Sequence, residues 1–479
     1  MLKFLNTRFF ILFVFPFFLG SITVLGFNPF NLLFVNVFSM STLFYLIYYV
    51  KKKTQSSYRK KPFLKNLFFL GSAYGFGFFL FGLYWISYSL TFDPAFKLLI
   101  PFALILIPLF LSLFFSIPII LIGNFIEFKI SSIILISILF SISDFLRSFI
   151  LTGFPWNLWG YSLSWSQESL QILNLVGFFS LNLIFITILF LPVIFFFKGK
   201  SKYIFISFFV ILLFSNYFFG SYKINSEKDD TANRINFKVA SSGLKLSEFK
   251  NQILVLNNLI KMSEPDKSQK TIFVWPEGVF LNENFKKNDE IKKIIKENFS
   301  KNHLIILGAN TEKIKNNNIS YYNSLLIIDN NTNIIKEYNK QKLVPFGEFL
   351  PFEKFLKKLG FKKITEGYNS FTRGKDDSII KINFDNKIIN ILSLICYEII
   401  FPNFPGNQEK NFNFIVNISE DAWFGNSIGP QQHFVKAIYR SIENGSYTVR
   451  SANMGVSAFI SPTGKILKVL NSTEAGNIE

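Results

Sequence analysis

Ile388-Ile389-Asn390-Ile391-Leu392-Ser393-Leu394-Ile395-Cys396-Tyr397-Glu398 is an apolar run that stops abruptly on a thiol and a carboxylate. Its first eight residues read as a buried strand. Cys396 is the only cysteine among 479 residues, so it has no disulfide partner within the chain, and neither a second Cys nor a nearby His offers metal-ligand spacing. Two roles remain: a buried inert thiol, or a nucleophile at the end of a strand.

Moving outward from this run, short apolar or β-branched segments recur at Thr271–Trp275, Leu304–Leu307, Ser324–Ile328, Phe414–Ile418 and Ser457–Ile460. Helical spacing separates some of them, as in Glu248–Met262 and Glu290–Asn298, which predicts an α/β domain. The segment Ser324–Lys340 reads as a hairpin turning near Asn330, Asn331 and Asn333. Residues Pro351–Phe361 have amphipathic spacing, with Phe352, Phe355, Leu356 and Leu359 on one face. That helix is either a lid in a membrane interface or a surface helix packed on the domain core.

The first 221 residues are of another kind. Seven apolar stretches, near residues 9–27, 30–50, 67–90, 98–123, 130–146, 170–197 and 203–220, approach the roughly 20 residues that span a bilayer. The division expected is therefore a transmembrane domain over 1–221 and a soluble domain over 222–479, with the polar stretch Ser221–Asn236 as linker. Thirteen Lys or Arg residues, from Lys3 and Arg8 through the 51–65 cluster and Lys129 to Lys198, Lys200 and Lys202, fall on one side of the spans. Only Lys97 and Arg147 fall on the other. By the positive-inside rule the amino terminus is inside, and an odd number of spans puts the soluble domain outside. The six later spans argue that the first is retained rather than cleaved as a signal peptide.

The formal net charge of +19 does not indicate a nucleic-acid partner. Fifteen of the basic residues precede position 222, and most of those face headgroups in inside loops. From 222 onward 35 basic and 27 acidic residues leave a modest +8.

A cysteine nucleophile needs a base and an oxyanion partner. Histidine is scarce, with only His303 and His433, but Glu277 follows the run Thr271–Trp275 behind a ladder-breaking Pro276, and Lys340 ends the hairpin. Glu277, Lys340 and Cys396 could thus converge at one edge of a sheet.

These residues resemble the nitrilase (carbon-nitrogen hydrolase) superfamily, with its Glu, Lys and Cys in that order, and within it the bacterial apolipoprotein N-acyltransferases. The resemblance spans nearly the whole chain. It rests on Trp275-Pro276-Glu277, Tyr322-Asn323-Ser324, Tyr338-Asn339-Lys340, Leu343-Val344-Pro345-Phe346-Gly347-Glu348, Cys396-Tyr397-Glu398, Asp421-Ala422-Trp423-Phe424-Gly425 and Gln432-His433-Phe434. Gly153-Phe154-Pro155-Trp156 with Gly160-Tyr161 carries it in the membrane half.

What the resemblance implies is a multi-span helical membrane domain joined to a nitrilase-like αββα sandwich, in the bacterial inner membrane with the catalytic domain on the periplasmic side. It implies Cys396 as the nucleophile carrying an acyl thioester, Glu277 as its base, and Lys340 with the Tyr397 N–H as oxyanion partners. Glu348 would orient Lys340, Glu398 and Trp423 would shape the pocket, and Asn323 would support the site. His433 reads as structural or pocket-lining. The implied partners are a phospholipid acyl donor, a diacylglyceryl apolipoprotein acceptor and the membrane, with no cofactor or metal. A membrane-bound nitrilase-like amidase is the alternative enzyme, and a catalytically silent membrane scaffold the non-enzymatic one. Three departures from the family pattern stand out. Ala240-Ser241-Ser242-Gly243-Leu244-Lys245 lacks the expected Trp, Ser419-Glu420 replaces Ser-Asn, and nothing long and apolar follows Ile466–Leu470 where a return span is expected.

Overall fold

Six of the seven apolar stretches form helices of eighteen residues or more in the structure, a computed structural model. It describes residues 7–55, 61–227, 235–248, 251–281, 288–315, 318–358, 370–406 and 411–479. The six are α2 (Leu33–Thr54), α3 (Phe63–Leu83), α4 (Pro94–Gly123), α5 (Ile130–Arg147), α6 (Leu173–Phe196) and α7 (Ser201–Asn225). The first stretch forms a shorter apolar helix, α1 (Phe10–Gly26), near the lower limit of spanning length. Residues Met1–Asn225 form one compact unit and Ser226–Glu479 a second, so α7 runs five residues into the expected linker.

Helices α3 and α4 approach closely because Gly71 and Gly75 expose backbone to their neighbour. A Cβ added at Gly71 would lie 2.6 Å from the Ser116 Cα, and one at Gly75 2.8 Å from the Ser112 Cα. Small residues four apart are how spans gain contact where lipid provides no hydrophobic drive.

The string around Gly153–Tyr161 is fixed by charge buried between helices. Arg147 is 3% exposed and donates to Asp144 (2.9 Å), to the Phe154 carbonyl (3.1 Å) and to the Asn157 carbonyl (3.2 Å). Asn182 on α6 completes the cluster, donating to Asp144 at 3.0 Å and accepting from the Gly160 N–H at 2.7 Å. Arg147 was counted among the loop charges, but its guanidinium is engaged inside the bundle and leaves Lys97 alone on the sparse side.

In the second unit, residues alternate with period two along strands that make two sheets. The strands are β1 (Phe237–Ser241), β2 (Thr271–Val274), β3 (His303–Lys315), β4 (Asn318–Ile328), β5 (Ile334–Asn339), β6 (Ile379–Phe384), β7 (Lys387–Ile395), β8 (Phe414–Glu420), β9 (Tyr447–Asn453), β10 (Ser457–Ile460), β11 (Ile466–Leu470) and β12 (Gly476–Ile478). One sheet runs β12-β1-β2-β3-β4-β5 and the other β11-β10-β9-β8-β7-β6. In each, three neighbouring strands are parallel: β1, β2 and β3 in one, β7, β8 and β9 in the other.

Val239, Ile272, Val274, Ile306, Leu325 and Ile327 face the space between the sheets, where Ile389, Ile391, Val416, Ile418 and Val449 meet them. The alternate residues Ala240, Phe273, Trp275, Ile305 and Leu307 point outward to Val255, Leu256 and Leu259 of α8 (Gln252–Ser263) and Ile291 and Ile295 of α9 (Asp289–Asn298). Helix α10 (Gly429–Asn444) lies against β9 of the second sheet and completes the αββα layering. Helix α8 starts later than its apolar spacing suggests because the Asn251 side chain caps it by accepting from the Leu254 N–H. The hairpin turns as expected, Asp329 accepting from the Asn331 and Asn333 N–H groups. Of the expected helix Pro351–Phe361, Glu353–Lys358 is helical while Pro351 and Phe352 form a turn ahead of it; residues 359–361 lie outside the described residues.

Candidate active site

Parallel strands end in loops on one side of a sheet, and that side is where α/β folds gather polar groups. Glu277 follows β2, Lys340 follows β5, Cys396 follows β7 and Glu420 closes β8. The two sheets bring these ends together: the Glu420 N–H donates to Glu277 Oε2 at 3.0 Å.

Lys340 is 1% exposed and sits between two carboxylates, donating to Glu277 Oε1 at 3.2 Å and Glu348 Oε1 at 3.0 Å. Asn323 on β4 bridges the same two oxygens, at 2.7 Å each. The Val344 N–H holds the other Glu348 oxygen at 2.8 Å. Burial alone would lower the Lys340 pKa, but Glu277 and Glu348, with smaller contributions from Cys396 and Glu398, outweigh it. The ammonium's pKa is held above its usual range. Lys340 is therefore a fixed cation and not a proton acceptor.

Cys396 keeps part of its surface open while its neighbours are closed off. Its backbone is left-handed, with φ of 48°, a conformation that side chains with a Cβ adopt reluctantly. The chain turns there from β7 into the 3₁₀ turn Cys396–Ile400. Burial raises the thiol's pKa well above the ordinary value, and the Glu277 carboxylate adds to the rise. Lys340 and a hydrogen bond from Ser419 oppose it. The resting group is thus a protonated thiol with a carboxylate within electrostatic reach, which is the arrangement a base-activated nucleophile needs.

Glu398, fully buried, joins the two loops that carry Lys340 and Cys396. One of its oxygens accepts from the Tyr338 hydroxyl (2.9 Å), the Gln341 N–H (2.7 Å) and the Lys342 N–H (3.1 Å); the other accepts from the Ile395 N–H (2.8 Å). Burial pushes its pKa up to about 7, against those same N–H groups and Lys340. Tyr397 is buried, its ring edge-on to Phe401. Trp423 is half-buried in the turn Asp421–Phe424 that follows β8.

Beneath the thiol lies a polar cluster whose combined role the sequence reading did not anticipate. Asp421 and Arg450 are both fully buried and paired at 2.8 Å; Arg450 also bonds Asn417 and the Val456 carbonyl. Arg450, with His433 and Ser419, holds the Asp421 carboxyl down at about 2 despite its burial. Glu420 accepts from Asn453 and the Ala422 N–H, and burial raises its pKa well above the usual carboxylate range. The available signal was Arg450 and Asn453 in a strand otherwise too polar to be buried. Among the described residues no group of three or more His, Cys, Asp or Glu side chains is arranged to hold a metal ion.

A partly open cysteine at a parallel strand end, set beside a buried lysine and carboxylates in an αββα sandwich, defines a carbon-nitrogen hydrolase domain, here joined to a multi-span membrane unit. A carbon-nitrogen hydrolase family model matches residues 272–478, and a model of the apolipoprotein N-acyltransferase N-terminal domain matches residues 19–191. The chain is 31% identical over 461 residues to an apolipoprotein N-acyltransferase of Rickettsia prowazekii (strain Madrid E), covering 94% of this chain and 89% of that one. It is 28% identical to one of Rhizobium etli (strain CIAT 652), covering 96% and 88%. The chain belongs to the apolipoprotein N-acyltransferase family and is a multi-span membrane enzyme. Of the two enzyme readings of the sequence, acyl transfer is the one this supports. Among solved structures, an amidase from Nesterenkonia sp. AN1 aligns at 12% identity over 53% of this chain and 91% of its own, with a TM-score of 0.34.

Proposed function

We propose that Cys396 carries an acyl chain from a phospholipid to the α-amino group of a diacylglyceryl-cysteine at the amino terminus of an apolipoprotein. The observation that supports this most directly is the buried cluster of Glu277, Lys340, Glu348 and Asn323 beside the partly exposed residue Cys396.

In the first half-reaction Glu277 takes the thiol proton as sulfur attacks the ester carbonyl. The oxyanion that forms is met by the Lys340 ammonium and the Tyr397 N–H. Collapse breaks the ester bond, and the lysophospholipid oxygen leaves with the proton from Glu277, giving the thioester. In the second, the amine attacks the thioester and passes a proton to Glu277. The tetrahedral intermediate expels sulfur, which recovers that proton, and the amide is complete. Lys340 keeps its charge throughout, pinned by Glu277 and Glu348, so the developing negative charge meets a cation that needs no reorganisation.

The topology follows the charge asymmetry: amino terminus inside, seven crossings, and the catalytic unit on the periplasmic side of the inner membrane, where lipid-anchored donor and acceptor both reach it.

The test is the full chain in phospholipid vesicles with a diacylglyceryl lipopeptide. N-acylated peptide is expected, along with an acyl-enzyme visible in the intact mass, and Cys396→Ala should abolish both. Release of free fatty acid with no N-acylated peptide would instead assign a hydrolase.

A further inference from the structure

His433 is fully buried in α10 and takes no part in the acyl-transfer steps above. Its Nε2 lies 3.2 Å from the Cys396 carbonyl oxygen. That carbonyl and the Tyr397 N–H are opposite ends of one planar peptide unit, so whatever fixes the C=O direction fixes the N–H direction. We propose that His433 is a positioning residue for the oxyanion site: by donating from Nε2 to the Cys396 carbonyl it sets the peptide plane and aims the Tyr397 N–H at the developing charge.

Three observations support this. First, the Cys396 backbone is left-handed at φ 48°, a setting that needs support from its surroundings, and His433 provides it from α10, an element distant in sequence. Second, the ring cannot swing away. Its Nδ1 is 2.8 Å from Asp421 Oδ1 and 3.2 Å from an Arg450 nitrogen, and Phe424 packs edge-on at 5.3 Å between ring centres. Asp421 is held in turn by Arg450 and by the Ser419 hydroxyl at 2.6 Å.

Third, the charges around the ring define the form that donates. Nδ1 lies 2.8 Å from an ionised carboxylate that can only accept, so it carries a hydrogen, and donation from Nε2 belongs to the imidazolium, which Asp421 favours while burial and Arg450 hold the ring's pKa below its ordinary value. A hydrogen bond to the carbonyl also polarises the amide and strengthens its N–H as a donor.

This inference rests on the proposed reading of Tyr397 as an oxyanion donor, and it separates two reactions of the same sulfur. Acylation by an ester passes through an oxyanion; alkylation by iodoacetamide displaces iodide at a saturated carbon and forms none. In the full chain in phospholipid vesicles, His433→Leu should slow acyl-enzyme formation roughly ten- to a hundredfold. Its Cys396 alkylation rate should stay within about twofold of the parent. His433→Gln, whose amide nitrogen sits where Nε2 does, should restore acylation to within a few fold. Unchanged acylation in His433→Leu overturns the proposal. So does a parallel loss of both reactions, which would mean that His433 supports the thiol or the fold as a whole. So does a His433→Gln variant no better than His433→Leu. Persistent N-acylation by Cys396→Ala would instead sink the underlying reading of the site.

Discussion

Glu398 shows how much a single buried carboxylate can hold in place. Ionised, it accepts from four donors on the two loops that carry Lys340 and Cys396; protonated, one oxygen carries a hydrogen and loses acceptor strength. Its pKa in the folded chain, about 7, lies above the value of 4.5 expected when unfolded. Between those pH values the native state binds more protons than the unfolded one, so the Glu398 contribution to stability falls as pH rises through that window. Catalysis should move the other way, because the pin between the loops is tightest once Glu398 is ionised. The acylation rate should therefore show an acid limb centred near pH 7. In Glu398→Gln that limb should vanish and the rate at pH 8 should fall about tenfold or more, since the amide turns a donor toward one of the backbone N–H groups. A pH profile of acyl-enzyme formation checks both, and a limb unaltered by the substitution would assign the titration elsewhere. Lys340→Met is harsher. It leaves Glu277 and Glu348, each 2.7 Å from one Asn323 nitrogen, without their shared cation. The expected loss is about 3–5 kcal/mol of stability together with acyl-enzyme formation, read by thermal unfolding and intact mass.

At the scale of elements, the parts legible in the sequence were those whose burial follows a simple period. Thr271–Trp275, Ile388–Ile395 and Phe414–Ile418 are apolar because both of their faces are covered, and each forms its strand, β2, β7 and β8, nearly as read. Strand β9 was missed because Tyr447-Thr448-Val449-Arg450-Ser451-Ala452-Asn453 buries polar groups that find their partners only across the fold: Arg450 on Asp421, Asn453 on Glu420. Helix α10 hid for the same reason, burying Gln432, His433, Lys436, Arg440 and Glu443. The site followed a similar division. Glu277, Lys340 and Cys396 could be placed at strand ends by counting residues, but the Glu398 bridge and the His433 contact depend on distances that no periodicity encodes. Strand β3 also shows why the elements must fit closely. A Cβ added at Gly308 would lie 2.6 Å from both the Glu277 Cα and the Gly278 nitrogen, so Gly308→Ala must push the Glu277 turn aside. Small displacements of a catalytic group cost rate steeply, and this variant should lose roughly a hundredfold in acylation while its fold persists. Circular dichroism alongside acyl-enzyme mass would check the pair; full activity would show that the turn tolerates the shift.

For the molecule as a whole, the distribution of charge makes the sharpest claim. The apolar helices carry no orientation of their own; the direction comes from loops in which thirteen basic residues oppose two. Burial of Arg147 against Asp144 removes one of those two from the surface and strengthens the asymmetry. The lone cysteine makes this testable with little disturbance, because Cys396→Ser leaves a chain with no thiol of its own. Into that background a single cysteine can be placed at Lys200, in the loop between α6 and α7, or at Lys465, an exposed position between β10 and β11. A membrane-impermeant maleimide applied to intact spheroplasts should label Lys465→Cys at once and Lys200→Cys only after the membrane is permeabilised. The reverse pattern would invert the chain and place the thiol on the cytoplasmic side. Labelling of both positions in intact spheroplasts would mean an even number of crossings between them, and α7 would then not span. Because α7 is the last long apolar helix before the catalytic unit, the Lys465→Cys result decides whether Cys396 and its acyl chain face the compartment in which the proposed acceptor is anchored.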